Sequence, residues 1–114
     1  MSDCLFCKIV AGEIPAEVVA EDDRVLAFKD INPGAPVHLL VIPKRHVANS
    51  STVEEADEAL VGHVVRVGCQ VASEAGLSES GFRLVLNNGR DAGEAVNHLH
   101  LHVIGGRALD WPPG

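Results

Sequence analysis

Three histidines alternate with leucines near the end of the chain, in the run His98-Leu99-His100-Leu101-His102-Val103-Ile104. On a β-strand, alternate side chains face the same way. The spacing therefore predicts one face bearing His98, His100 and His102, with Leu99, Leu101 and Val103 turned into a core. A neutral imidazole nitrogen is a nucleophile, and a cationic imidazole beside it can neutralise phosphate oxygens. The attacking nitrogen is free only if the other ring nitrogen is held as N–H, a task for a backbone carbonyl of the same strand. A single metal held by all three is disfavoured, because residues i and i+4 of a strand are ~13 Å apart at the backbone. A merely solvated face needs no imidazole, since Thr, Lys or Glu would serve. Phosphoryl chemistry is the use that fits.

Three cysteines add a second constellation. Cys4 and Cys7 form a C-x-x-C pair, which in a chain without a disulfide framework points to a metal or to redox chemistry. Cys69 stands alone in an apolar helical stretch and is expected as a small core residue.

The elements that must position these groups are legible in outline. Cys4 to Ala11 reads as a short helix capped by Asp3 and ended by Gly12. Residues 17–20 and 25–28 read as a hairpin around Asp22-Asp23, and residues 37–42 as a strand stopped by Pro43. The longest element is a helix over about 53–75, opened by Ser51 with Glu54 or Thr52 with Glu55 and ended by Gly76. Ala56, Leu60, Val64, Val67, Val71 and Ala75 would form its buried face. His63, on this helix, is expected as a surface or packing residue. Residues 83–86 and 97–104 read as the remaining strands, and the tail from Gly105 is too rich in Gly and Pro for regular structure. The sum is an α+β fold, an antiparallel sheet of about five strands with one long and one short helix.

The chain has 114 residues, 46% hydrophobic and 22% charged. That suits one compact domain spanning 1–114. A net charge of −7 argues against nucleic acid or an anionic membrane as partner, because such binding runs on clustered Lys and Arg. No apolar run approaches the ~20 residues of a membrane helix, and Met1-Ser2-Asp3-Cys4 lacks the basic start of a signal peptide. A cytoplasmic location is the default expectation.

The run His-φ-His-φ-His-φ-φ, with φ apolar, resembles the signature of the histidine triad (HIT) family. Residues 22–31 resemble that family's early nucleoside-binding hairpin and residues 38–44 its next strand. Gly105-Gly106-Arg107 with Trp111-Pro112-Pro113-Gly114 is similar to the Hint branch, the histidine triad nucleotide-binding proteins. The resemblance implies a HIT-like fold and a homodimer in which two sheets join into one. It implies that His100 attacks the α-phosphorus of a purine nucleotide and forms a nucleotidyl-histidine intermediate. His102 would bind phosphate oxygens, and His38 would sit beside His100 in a hydrogen-bonded relay. Asn87 and the backbone around Gly93, Glu94, Ala95 and Val96 would hold the phosphate, and Asp30 the ribose hydroxyls. Leu5, Phe6, Ile9, Phe28, Ile31 and Leu40 would line the base pocket, though plain core packing serves nearly as well for Ile9 and Leu40. The tail with Trp111 would cross the dimer interface to the leaving-group side. The valine-rich helix around 61–71 is a second candidate for that interface.

The resemblance also implies a structural zinc ion, which some relatives hold with such a cysteine pair, a histidine after this strand and the first triad histidine. Here its ligands would be Cys4, Cys7, His46 and His98, a set that satisfies tetrahedral Zn²⁺ and would pin the short helix to the sheet. His98 would then serve the metal, with its carbonyl orienting His100. Two departures stand out. Ala95 replaces a common Ser whose hydroxyl aids the phosphate or leaving group, and Glu94 replaces a common Gln. A carboxylate there would repel phosphate unless protonated or turned away. The expected activity is purine nucleoside phosphoramidate hydrolysis, needing no catalytic cofactor. Dinucleoside polyphosphate hydrolysis, nucleotidyl transfer and nucleotide binding without turnover are its rivals.

Overall fold

The computed structural model describes residues 3–114. Met1 and Ser2, on which the signal-peptide expectation partly rests, lie outside the described residues. The chain forms helix α1 (Leu5–Val10), strands β1 (Val18–Glu21), β2 (Val25–Lys29) and β3 (Val37–Pro43), helix α2 (Glu58–Glu74), and strands β4 (Phe82–Val85) and β5 (Leu101–Gly105). The five strands make one antiparallel sheet in the order β1-β2-β3-β5-β4. Among the described residues no helix is long and apolar enough to cross a membrane.

The sheet has two differently used faces. Val25, Ala27, Leu39, Val41, Leu101 and Val103 point to one side and pack beneath α2. Leu26, Phe28, Leu40 and Ile42 point to the other, where Phe6 of α1 closes a smaller core. This is the strict alternation that a sheet covered on both faces imposes. The histidines lie on the α1 face.

Several boundaries differ from expectation. Helix α2 begins at Glu58, not near residue 53, because Asn49 caps a separate 3-10 turn (Ser50–Thr52) and a second turn (Glu55–Asp57) follows. Ala56 and Ala75 are exposed, whereas Gly68 and Ala72 join Val64, Val67 and Val71 on the buried face. Cys69 is exposed, not a core residue, since its neighbour Gly68 takes the inward position. Val64, Val67 and Val71 are spent on the chain's own sheet, so only Val65 (37% exposed) offers much apolar surface from the valine run. Cys4, not Asp3, caps α1: its Sγ accepts from the Cys7 backbone N–H. The last strand begins at Leu101, so His98 and His100 precede it. Leu99 nonetheless donates from its N–H to the Val47 carbonyl at 2.6 Å, which ties the residues before β5 to the segment that follows β3.

His63 is more than packing. Its Nε2 lies 2.6 Å from Asp22 Oδ2, and Asp22 Oδ1 accepts the N–H groups of Arg24 and Val25. The β1–β2 turn is thereby tied to α2. The His63 hydrogen bond, ahead of the backbone ones, lowers the Asp22 pKa to about 2.

Candidate active site

The register of β3 against β5 places His102 opposite Leu40 and Ile104 opposite His38. In an antiparallel pair, a residue also meets its diagonal neighbour. His38 therefore reaches His102, and its Nε2 lies 2.8 Å from His102 Nδ1. His38 was expected beside His100; the register puts it one step away, with His102 between. The ring centroids of His100 and His102 are 5.0 Å apart, and those of His38 and His102 are 5.1 Å apart. The rings stand in the order His38–His102–His100, with a hydrogen bond between the first two and a ring contact between the last two.

Backbone groups decide the protonation pattern. His100 Nδ1 lies 2.7 Å from the His98 carbonyl. A carbonyl only accepts, so Nδ1 carries the proton and Nε2 keeps a free lone pair. Gly34 donates its N–H to His38 Nδ1 at 2.9 Å. Neutral His38 is thus protonated on Nε2 and donates to His102 Nδ1, which leaves the His102 proton on Nε2. The side-chain amide of Asn87 faces that nitrogen at 3.5 Å. Burial, ahead of repulsion from His100 and His38, lowers the His102 pKa to about 4, so the ring is neutral near pH 7. Asp30 Oδ2 approaches His38 Nε2 at 3.4 Å. Asp30, His38 and His102 are close enough to share a metal ion. The Gly34 N–H opposes that use, because it keeps a proton on the His38 nitrogen that would have to coordinate.

Beside these rings opens a cleft of about 860 Å³. Leu5, Phe6, Ile9, Phe28, Ile31 and Leu40 all line it, together with Asp30, Ala95, Val96, His100 and His102. Phe6 holds the wall by edge contacts to Phe28 and His100 at 5.6 and 5.0 Å. Ile14, Pro15, Ala16, Glu17, Lys29 and Asn32 line it too; these were missed, for they sit in the α1–β1 connection or on the sheet rim, without periodicity to mark them. Trp111 is 80% exposed and is not among the residues that line the cleft.

The loop over the histidines runs from Asn87 to Val96. Gly89 and Gly93 adopt φ of +86° and +81° around a 3-10 turn at Arg90–Ala92, a conformation that favours glycine. Glu94 closes the loop. Its N–H donates to the Gly89 carbonyl at 3.1 Å, and its Oε1 accepts the Gly89 N–H at 2.8 Å. The carboxylate is thus engaged with its own loop.

A family model for the HIT domain matches residues 11–109. The chain belongs to the HIT domain family. It is 51% identical to an uncharacterised HIT-like protein of Synechocystis over 98% of this chain and 97% of the relative. Its fold superposes on the crystal structure of a HIT family hydrolase from Legionella pneumophila with a TM-score of 0.96, at 51% identity, covering 98% of this chain and 100% of that one. A histidine triad nucleotide-binding protein from Candida albicans is also similar, with a TM-score of 0.83 and 31% identity over 96% of this chain and 83% of the other.

This HIT domain brings a second set of side chains together. His98 is fully buried and its Nε2 lies 2.8 Å from the Pro43 carbonyl, so Nδ1 presents a lone pair. Burial is the largest cause lowering its pKa. That Nδ1 is 3.2 Å from Cys4 Sγ, 3.5 Å from Cys7 Sγ and 3.2 Å from His46 Nδ1, while Cys7 Sγ is 3.4 Å from His46 Nδ1. Ligands at ~2.0–2.3 Å around tetrahedral zinc stand roughly 3.3–3.8 Å from one another. The four donor atoms therefore fit that ion, and all four predicted ligands converge.

Proposed function

We propose that this HIT protein is a purine nucleoside phosphoramidate hydrolase. The observation that carries this reading is the hydrogen bond from His100 Nδ1 to the His98 carbonyl, which leaves Nε2 free beside the cleft. His100 Nε2 attacks the α-phosphorus, the P–N bond breaks, and the departing amine takes its proton from solvent while the His102 Nε2–H hydrogen-bonds a phosphate oxygen. Water then attacks the phosphorus and gives up a proton to solvent, and the P–Nε2 bond breaks to give the nucleoside monophosphate. The Asn87 amide and the Gly93–Val96 backbone hold the phosphate, Asp30 accepts from the ribose, and the apolar wall takes the base. Simple nucleotide binding would need neither the His98–His100 bond nor the His38–His102 contact. The Candida albicans neighbour, a nucleotide-binding protein, and the Legionella hydrolase support this assignment by likeness of fold.

Zn²⁺ would be held by Cys4, Cys7, His46 and His98. With four protein ligands it leaves no position for substrate, so its service is to anchor α1. The reading includes a cytoplasmic setting, where such thiols stay reduced, and a homodimer with Trp111 of each copy near the partner's leaving-group side. Mass spectrometry of protein mixed with adenosine 5′-phosphoramidate tests the chemistry. An AMP adduct on His100, with AMP release abolished in His100→Ala, is expected. Neither adduct nor turnover in the wild type would sink the proposal.

A further inference from the structure

The loop Asn87–Val96 carries two left-handed glycines, yet the phosphate requires it to hold one shape. Free glycines lose more conformational entropy on ordering than other residues, so something must fix this loop from outside. Asn87 and Asn88, just past the end of β4, reach different partners. The first reaches His102. The second reaches the segment between β3 and α2: Asn88 Nδ2 donates to Ser50 Oγ at 2.9 Å, to Ser51 Oγ at 2.5 Å and, more weakly, to Asn49 Oδ1 at 3.3 Å.

That segment is itself braced. The Leu99 N–H binds the Val47 carbonyl. Asn49 Oδ1 accepts the Ser51 N–H at 3.0 Å, and Thr52 Oγ1 accepts the Asn49 N–H at 3.2 Å. The Gly89–Glu94 ring starts at the very next residue after Asn88. One amide thus joins a rigid strap to the root of a loop that its own glycines leave pliable.

We propose that Asn88 is a positioning residue for the phosphate site: its amide, held by Ser50 and Ser51, sets Asn87 and the Gly93–Val96 backbone against the substrate. The proposal rests on the phosphoramidase reading for its kinetic form but not for its structural one. It makes the serine pair, far along the sequence from the histidines, part of the same device.

The test uses full-length Asn88→Ala, Asn88→Asp and Ser50→Ala/Ser51→Ala with adenosine 5′-phosphoramidate. Loss of positioning should lower kcat about tenfold in Asn88→Ala with KM changed less than about twofold. Asn88→Asp should fall between Asn88→Ala and wild type, because its carboxylate can only accept from the Ser50 and Ser51 hydroxyls, which must turn to donate. The paired serine variant should lower kcat in the same sense, and adding Asn88→Ala to it should cost less than the product of the two separate effects. A kcat within twofold of wild type in Asn88→Ala, or fully multiplicative effects, overturns the proposal. Should Asn88→Ala fail to fold, the serine variant decides alone. Hydrogen exchange of amides 89–96 without substrate gives an answer free of turnover. Faster exchange in Asn88→Ala supports the tether; unchanged exchange rejects it. A wild type without activity would condemn the phosphoramidase reading and leave this exchange result standing.

Discussion

Three of the imidazoles have one ring nitrogen committed to a backbone group, and that commitment sets what the other nitrogen can do. His98 points Nε2–H at Pro43 and so offers Nδ1 to the cysteines; His100 points Nδ1–H at His98 and so offers Nε2 to the cleft. His38 receives the Gly34 N–H and hands its own proton toward His102. His102 then carries a consequence for pH. Its native pKa is about 4 against an ordinary 6.5, so between those values the unfolded chain binds the extra proton and the folded one does not. Stability should therefore be intact above pH 6.5 and decline as pH falls toward 4. The urea midpoint followed from pH 7 to pH 4 should show this decline, and His102→Asn should make it shallower. A slope unchanged in that variant would place the effect elsewhere.

At the scale of elements, the question is how closely helix and sheet approach. A Cβ at Gly68 would lie 2.7 Å from Leu101 Cδ2, and Leu101 is itself buried beneath α2. Replacing a helical Gly by Ala gains ~1 kcal/mol of intrinsic propensity, while overpacking a filled core costs ~1–3 kcal/mol. The cost wins, and Gly68→Ala should destabilise by about 1 kcal/mol net. Gly62, with nothing within 4 Å of its added Cβ, faces only the gain, so Gly62→Ala should stabilise by ~0.5–1 kcal/mol. Denaturant unfolding of the two variants checks the contrast.

Helix α1 makes the complementary case. It is six residues long, too short to hold itself, yet Leu5, Phe6 and Ile9 form one wall of the cleft. Cys4 and Cys7 at its start lie against His98 and His46, and the proposed zinc ion would make them its tether. Stripping zinc with a chelator should weaken AMP binding to His100→Ala protein by about tenfold and speed hydrogen exchange across residues 5–10. Elemental assay must first find close to one ion per chain; less than a tenth of an ion would reject the zinc site itself.

For the whole molecule, the two sheet edges are not alike. Edge strand β1 is broken by a register shift between Val18 and Ala20, a bulge of the kind that discourages further pairing. Strand β4 is regular and half-buried throughout, and the tail is pinned to it by Arg83, which donates to the Asp110 carbonyl at 2.9 Å. The homodimer of the proposed function is therefore expected at β4, with the two sheets continuous across it. Sedimentation at micromolar concentration should give twice the chain mass. A monomer there would remove the dimer and with it the role given to Trp111, which in a single chain stays in solvent.

Much of this protein was determined by the sequence alone, because the signals were local. Alternation over 98–104 sorted histidines from core leucines and turn residues bounded the strands, while the family resemblance added His46 and His98 to the C-x-x-C pair, a donor set that does converge. Other features depend on pairing between distant segments, which no local pattern carries. The β3–β5 register gave His38 to His102 instead of His100. The close approach of α2 turned Gly68 inward and Cys69 outward. The loop fold turned Glu94 onto Gly89, and Asn88 found its oxygens in residues 49–51. A side chain's type and spacing declare what chemistry it can do; which nitrogen of a ring is free to do it is decided by the backbone group that folding brings to the other one.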